Sequence, residues 1–358
     1  MKKAIDYAKQ LCDTLMRKFE AEKLPPEGHF HYHQGVFLSG MMKTYEVCRE
    51  EKYRDYADKW IKSVISPSGE IALFDKNMLD DIQPGILLFD IYERTKDERY
   101  KKALDYMLSV VKGWKVNGAG GFWHKEYHPN QMWLDSLYMA GPIQAQYSLV
   151  NGDESYLNTA VKQIFIMYEN MLDEKSGLLF HGWDYSKETE WADKETGLSD
   201  EVWGRALGWY VVAILDILSF MPENHPEREK IIEIEKNILL AFTKYQDSET
   251  GMWYQVVNKG DVEGNWVETS CSCLFAYALS KAVRMNVLDK SYLAYAIKGY
   301  EGVISSLGFD GEDLLIKGVC VGTDVCSFDD YISRPTSVND LHGAGAFLLM
   351  CAEIALAQ

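Results

Sequence analysis

Residues 134–172 read LDSLYMAGPIQAQYSLVNGDESYLNTAVKQIFIMYENML and decide the fold class. Apolar residues recur at spacings of three and four on both sides of Asn151-Gly152, which predicts two helices joined by a tight turn. Ten other segments show the same periodicity, whereas strand-like alternation is scarce. We therefore predict twelve helices, at about 3–22, 34–51, 53–66, 80–94, 97–115, 134–150, 153–172, 202–220, 226–247, 269–283, 290–306 and 338–356.

Short and long connections alternate along this series. Turns of a few residues follow the even-numbered helices, and long loops follow the odd-numbered ones. Long loops in a compact domain usually carry function. Because each long loop follows an odd-numbered helix, we expect all of them at one end of the molecule. The long loops are residues 23–33, 67–79, 116–133, 173–201, 248–268 and 307–337.

The even-numbered helices share small residues near their starts, which read QGVFLSG, DIQPGILL, YMAGPIQA, WGRALGW, SCSCLFA and HGAGAFLL. A degenerate repeat of roughly sixty residues is typical of stacked helical hairpins. Six hairpins arranged in an inner and an outer ring make an all-α (α/α)6 barrel. No proline-rich or low-complexity linker interrupts the series, so we predict one domain over 1–358. Two aromatic runs, GLLFHGW and GMWYQVV, could form small hairpins within loops.

Composition limits the partners and the location. The chain has 358 residues and a formal net charge of −17, which repels nucleic acid and anionic membranes. Its first twenty residues read as an amphipathic helix rather than a signal peptide, so we expect a cytoplasmic protein, and a monomer because the toroid buries its own core. The seven cysteines are scattered, and none has the spacing of a zinc site. We therefore predict no metal and no other cofactor.

Two acidic motifs precede even-numbered helices. Asp135 lies between Trp133 and Tyr138, where aromatic neighbours would raise its pKa toward that of a general acid, although a carboxylate at a helix N-terminus is also favourable by itself. Asp80 and Asp81 form the second motif, and either reads equally well as a helix cap. Two carboxylates flanking a sugar are the usual arrangement for glycoside chemistry.

Positive groups occur in the same loops and helix starts. Arg205 lies on an inner helix, and a buried arginine needs an anionic partner, which is Asp135, Asp80 or a ligand carboxylate. The long loops would surround one end of the barrel, its mouth. His181, His124 and Lys125 are further hydrogen-bond donors there. Other candidate caps and ligand contacts are Ser199 and Asp200 before the eighth helix, and Tyr331, Arg334, Ser337, Asn339, Asp340 and His342 around the last one.

The motifs LDDIQPG, GFWHKEYHPNQMWLDSLYMAGP, HGWD, WGRALGWY, NWVETSCSCLFAYAL and SVNDLHGAGAF, in this order, resemble the unsaturated rhamnogalacturonyl hydrolases of glycoside hydrolase family 105. These are related to the unsaturated glucuronyl hydrolases of family 88. The resemblance covers nearly the whole chain and implies an (α/α)6 fold. It also implies hydration of the C4=C5 double bond of a 4,5-unsaturated galacturonic acid at the non-reducing end of lyase-generated rhamnogalacturonan fragments.

The resemblance further implies roles for individual residues. Asp135 corresponds to the catalytic acid and base, and Asp80 to a second aspartate that binds substrate or holds up the pKa of Asp135. The sequence departs from many relatives at Ser136, where glycine is common, and at His342, where some have lysine. The implied substrate-binding residues are His181, Arg205, Trp203, Trp209, Lys125 and Trp133.

Other functions remain open from sequence alone. An unsaturated glucuronyl hydrolase acting on glycosaminoglycan-type or other fragments is the neighbouring alternative. Sugar epimerases share the fold but typically use pairs of histidines, which the MWLD and WGRALGWY motifs disfavour. A sugar-binding toroid without chemistry is disfavoured by the presence of both Asp135 and Asp80.

Overall fold

The computed structural model describes residues 2–357 and contains thirteen α-helices within that range. The twelve predicted helices are all present, most with ends that differ from the prediction by a few residues, and a short extra helix, α12, lies in the last long loop. The helices are α1 Ala4–Lys18, α2 Tyr32–Cys48, α3 Glu51–Val64, α4 Leu87–Thr95, α5 Glu98–Lys112, α6 Asp135–Asn151, α7 Glu154–Met171, α8 Gly204–Phe220, α9 Arg228–Thr243, α10 Thr269–Arg284, α11 Leu293–Ser305, α12 Phe328–Ser333 and α13 Leu341–Ala357.

The helices form two concentric rings. In the inner ring, α2, α4 with its preceding turn, α6, α8, α10 and α13 each pack against the next, and α13 packs against α2 to close the circle. The outer helices α1, α3, α5, α7, α9 and α11 lie against them. This arrangement confirms the predicted (α/α)6 barrel, and it places the starts of all six inner helices at the same end as the long loops.

Small residues allow the inner helices to approach closely. A Cβ on Gly345 of α13 would lie 2.5 Å from the backbone of Val36 in α2, so only glycine fits where the ring closes. The inner helices are also apolar on every side, and all but three of the seventeen residues of α8 are buried. A helix that is apolar all round belongs inside a large fold, as the inner ring requires.

The fourth inner helix starts later than predicted. Leu79–Asp81 and Gln83–Ile86 form two 3-10 turns, and the α-helix begins only at Leu87. Pro84 has no N–H to donate and Gly85 is a poor helix former, which favours tight turns here. Neither Asp80 nor Asp81 caps α4, so the cap interpretation of that motif is wrong.

Short antiparallel strand pairs connect segments within and between the long loops. Strand β1 (Gln131–Trp133) pairs with β4 (Gly182–Asp184), and β2 (Leu172–Asp173) pairs with β3 (Leu178–Leu179). The predicted hairpin at GLLFHGW is therefore two separate pairings, whereas GMWYQVV forms only isolated bridges. Two more pairs lie in the last loop: β5 (Gly308–Asp310) with β6 (Asp313–Leu315), and β7 (Val319–Cys320) with β8 (Thr336–Ser337).

The start of α8 also differs from the prediction. Trp203 occupies the cap position and offers no side-chain hydrogen bond, while the Ser199 hydroxyl accepts one from the Gly182 N–H instead. Ser199 and Asp200 are therefore not caps. The backbone of Ser199 and Glu201 bonds to Gly182 and His181 beside β4, and α8 begins only at Gly204. Across residues 2–357, none of the helices combines the length and apolarity that crossing a bilayer would require.

Candidate active site

Asp135 and His181 meet at the loop end of the barrel. Asp135 is the first residue of α6, and His181 immediately precedes β4, which pairs with the strand that leads into α6. The backbone N–H of Leu134 donates to the His181 carbonyl at 3.1 Å, and His181 Nε2 lies 3.2 Å from Asp135 Oδ2. His181 is fully buried, so the paired strands fix the position of this imidazole against the carboxylate.

Tyr331 sets the tautomer of His181. Its phenol oxygen accepts a hydrogen bond from the Cys326 N–H at 3.2 Å, and its own proton is free to donate to His181 Nδ1 at 2.6 Å. Burial raises the pKa of Tyr331 and keeps the phenol protonated. Because Nδ1 accepts, the neutral ring carries its proton on Nε2, where it points at Asp135. The sequence indicated Tyr331 only as a candidate ligand contact.

Asp80 forms the second acidic position of the site. It is buried in the first 3-10 turn, with Lys125 Nζ 3.9 Å and His124 Nε2 3.7 Å from its oxygens. Asp81 points elsewhere, and its carboxylate accepts from the backbone N–H of Asp75 at 2.7 Å. Asp80, and not Asp81, is thus the carboxyl that faces the mouth.

The two carboxyl groups have pKa values displaced in opposite directions. Burial raises the pKa of Asp80 to about 7, against the charge of Lys125 and with a further increase from the charge of Asp135. Burial also raises the pKa of Asp135, but the hydrogen bond from His181 opposes it, and the net pKa is lowered. The direction that the sequence left open is therefore downward in the substrate-free protein, so neither the aromatic neighbours nor Asp80 hold the pKa of Asp135 up.

Aromatic rings surround these groups. Trp133 stacks on His124 with ring centroids 4.3 Å apart, and Lys125 Nζ lies 5.0 Å from the Trp133 ring centre. On the other side, Trp203 packs on His181 at 4.7 Å. Ser136, which departs from many relatives, anchors His124 through a 3.0 Å contact between its hydroxyl and Nδ1.

Arg205 reaches neither Asp135 nor Asp80. Its two terminal nitrogens donate to the carbonyls of Cys320 and Val321 at 2.6 and 2.8 Å, and its guanidinium lies 4.4 Å from the Trp203 ring centre. Among residues 2–357, no carboxylate lies within 4.0 Å of it. Of the partners that the sequence left open, Asp135 and Asp80 are thus excluded as direct ion pairs, because carbonyls at and just after β7 accept from the guanidinium, and the buried positive charge has no carboxylate in direct contact.

Trp209 lies deeper than the other predicted contacts. It is buried one helical turn below Arg205 and stacks on Tyr138, with ring centroids 4.5 Å apart. Trp209 therefore lies inside the barrel, below the residues at the loop end, and not among them. Arg334 is also engaged internally, through the Gly322 carbonyl and the Thr323 hydroxyl.

A cavity of about 730 Å³ lies at the opposite end of the barrel, lined by the later turns of the inner helices, including Asp216 and Lys281. None of the predicted site residues lines it. We place the active site at the loop end, because two buried carboxyl groups with displaced pKa values meet aromatic and cationic side chains there.

The model of a known protein family, described as Glycosyl Hydrolase Family 88, matches residues 7–357. The chain belongs to this family. A solved structure described as a glycoside hydrolase from family 105 of C. acetobutylicum ATCC 824 is 33% identical, with a TM-score of 0.93 over 98% of this chain and 99% of that one. The predicted relationship to families 105 and 88 is thereby confirmed.

Two further relatives carry named activities. The unsaturated rhamnogalacturonyl hydrolase YesR of Bacillus subtilis (strain 168) is 25% identical over 89% of this chain and 88% of its own length. The unsaturated glucuronyl hydrolase from Bacillus sp. GL1 has a TM-score of 0.72 at 16% identity, covering 98% of this chain and 96% of that one, which shows a shared fold. This member of family 88 thus has relatives that are named as hydrolases of unsaturated uronyl sugars.

Proposed function

We propose that this family 88 protein releases a 4,5-unsaturated galacturonic acid from rhamnose at the non-reducing end of rhamnogalacturonan fragments. The observation that carries the proposal is the buried guanidinium of Arg205, which lacks a carboxylate partner beside the Asp135–His181 pair. A buried charge without a partner is costly, and a uronate carboxylate would offset it. Trp133 and Trp203 are buried against His124 and His181 and hold these groups beside the substrate position.

The chemistry follows from the electron-rich double bond. The C4=C5 bond is an enol ether, so a proton delivered to C4 leaves a cation at C5 that the ring oxygen stabilises. Water then adds to C5 and returns its proton to the carboxylate that gave the first one. The resulting hemiketal opens and releases the aglycone sugar. One residue serves as acid and then as base, and we assign both steps to Asp135.

The lowered pKa of Asp135 decides when it is protonated. It is ionised in the free protein at neutral pH, so its proton has to arrive with or after the substrate. The uronate brings a second negative charge and displaces water, and both effects raise the pKa of a nearby carboxyl group. Asp80, with a pKa of about 7, is half protonated at neutral pH and is positioned to hydrogen-bond a sugar hydroxyl.

The choice of rhamnose as the aglycone rests on the named activity of the Bacillus subtilis relative. We would incubate the protein with an unsaturated rhamnogalacturonan disaccharide and follow the ultraviolet absorbance of the conjugated double bond. Absorbance should fall as rhamnose appears. Steady absorbance at high enzyme concentration, with an unsaturated glucuronyl disaccharide consumed instead, would reverse the substrate assignment. Binding of both without turnover would indicate a sugar-binding toroid.

The role of Asp135 is tested by Asp135→Asn. General acid–base catalysis contributes about 10²–10⁴-fold, so we expect turnover to fall at least a hundredfold. The thermal transition should stay close to that of the native protein. Asp55→Asn, on the exposed face of α3, is the matched control and should keep full activity. Full activity in Asp135→Asn would remove Asp135 from both steps.

A further inference from the structure

A second cluster of titratable groups lies where α13 closes the ring against α2. His342 Nδ1 is 2.7 Å from Asp340 Oδ1, and His33 Nε2 is 3.8 Å from the same oxygen. The three side chains offer ligand atoms that all lie within 4.8 Å of one another. None of them is used by the proposed reaction.

The hydrogen bonds around His33 leave its Nε2 as a bare acceptor. His31 Nδ1 accepts from the backbone N–H of His33 at 3.4 Å, so this nitrogen carries no proton. His33 Nδ1, 3.1 Å away from it, is therefore the donor in their contact. The lone pair of Nε2 then faces Asp340.

The same reasoning applies to His342. Its Nε2 lies 3.1 Å from the Cys320 carbonyl, which can only accept, so the proton of the neutral ring is on Nε2. Its Nδ1 is buried and lies 2.7 Å from Asp340 Oδ1, a distance at which the two atoms share a proton that a bound ion would replace. The ligand atoms of His33, Asp340 and His342 thus converge within 4.8 Å of one another.

Convergent acceptors of this kind are what a metal ion requires. Metal-binding histidines are neutral and donate their other N–H to a carbonyl or similar acceptor, as His342 does to Cys320 and His33 does to His31. Tetrahedral ligands about 2.0–2.2 Å from one ion lie about 3.4 Å apart. The His342 and Asp340 atoms, now 2.7 Å apart, would therefore separate slightly, and His33 would move in. His33 and Asp340 are about a quarter exposed, which leaves a path for the ion and for water ligands.

We propose that His33, Asp340 and His342 form a binding site for a divalent cation of the borderline class, such as Zn²⁺ or Co²⁺. Two imidazoles and one carboxylate suit these ions, whereas Mg²⁺ and Ca²⁺ prefer oxygen ligands. The charge of Arg205 opposes a cation here, and the carboxylate of Asp340 favours one. The cluster adjoins Arg205, which shares the Cys320 carbonyl with His342, but no step of the proposed hydrolysis passes through the ion.

The experiment measures metal binding in the absence of sugar. Chelator-treated full-length protein is titrated with Zn²⁺ in a calorimeter, and Co²⁺ binding is followed by its visible absorption. We expect one ion per chain. His33→Gln, Asp340→Asn and His342→Gln should each weaken binding at least tenfold, whereas His225→Gln, in the distant turn between α8 and α9, should bind like the native protein.

Each outcome decides the proposal. Absence of Zn²⁺ binding by the native protein overturns it. Unchanged affinity in the three variants also overturns it, and would place the ion elsewhere, for instance on the half-buried cysteines Cys48 and Cys326. Thermal transitions without metal identify any variant that fails to fold. His33→Gln, at a position about a quarter exposed, is the variant best able to fold and keeps the test valid in that case.

Discussion

Asp80→Asn should stabilise the protein in a way that depends on pH. Folding raises the pKa of Asp80 from 3.8 to about 7. Because the folded state holds this proton more tightly, the contribution of Asp80 to stability is intact below pH 3.8 and is lost as the pH rises through 7. Asparagine is neutral throughout, so the variant avoids that loss.

The size of the effect follows from the two pKa values. Relative to a group that never ionises, Asp80 lowers the free energy of unfolding by about 4 kcal/mol at pH 8 and by less than about 1 kcal/mol at pH 4. Unfolding entropy of about 2.1 cal/mol/K per residue gives about 0.75 kcal/mol/K for a chain of this length. The gain in Tm from Asp80→Asn should therefore be about 5 °C larger at pH 8 than at pH 4.

Differential scanning calorimetry of native and variant protein at pH 4 and pH 8 measures this difference. Asp324→Asn is the control, because Asp324 also lies near Lys125, at 3.5 Å, but is exposed. It should change Tm equally at both pH values. If Asp80→Asn also shifts Tm by the same amount at pH 4 and pH 8, Asp80 does not retain its proton in the folded protein.

Three further substitutions test other parts of the structure. Tyr331→Phe removes the donor to His181, so kcat should fall about tenfold with KM little changed, and unchanged kcat in steady-state kinetics would refute the tautomer assignment. Arg205→Ala should raise KM at least tenfold for the charged disaccharide, with partial recovery in Arg205→Lys; equal KM values in all three proteins would exclude Arg205 from substrate binding. Gly345→Ala should cost about 1–3 kcal/mol by overpacking, whereas Gly322→Ala, in open space, should cost less than about 0.5 kcal/mol in urea unfolding.

The barrel could be predicted from sequence because its determinants are local. Each helix carries its own periodicity, and the alternation of short and long connections assigns it to a ring. Asp80 and Asp135 occupy corresponding places in successive hairpins, so their shared position at the mouth follows from the repeat. The start of α4 was misplaced because Pro84 and Gly85 favour 3-10 turns that the periodicity does not reveal.

The electrostatics of the mouth depend on contacts between distant segments. Burial raises the pKa of Asp135, and the hydrogen bond that opposes this comes from His181, which reaches Asp135 through the pairing of β1 and β4. Arg205 donates to the carbonyls of residues 320 and 321, more than a hundred positions away. These acceptors belong to the backbone, so no side-chain pattern in the sequence indicates them. His33 and His342 come together only because α13 closes the ring against α2, so their cluster has no signature in sequence spacing.

The site of attack is the central claim, and deuterium labelling tests it most directly. In D₂O, hydration of the double bond delivers the added proton to C4, and we expect nuclear magnetic resonance to show one deuterium at C4 of the released uronic acid as the alkene signal disappears. Asp135→Asn should show neither change. Release of rhamnose with the alkene signal intact and no deuterium at C4 would mean attack at the anomeric carbon, and would contradict protonation by Asp135.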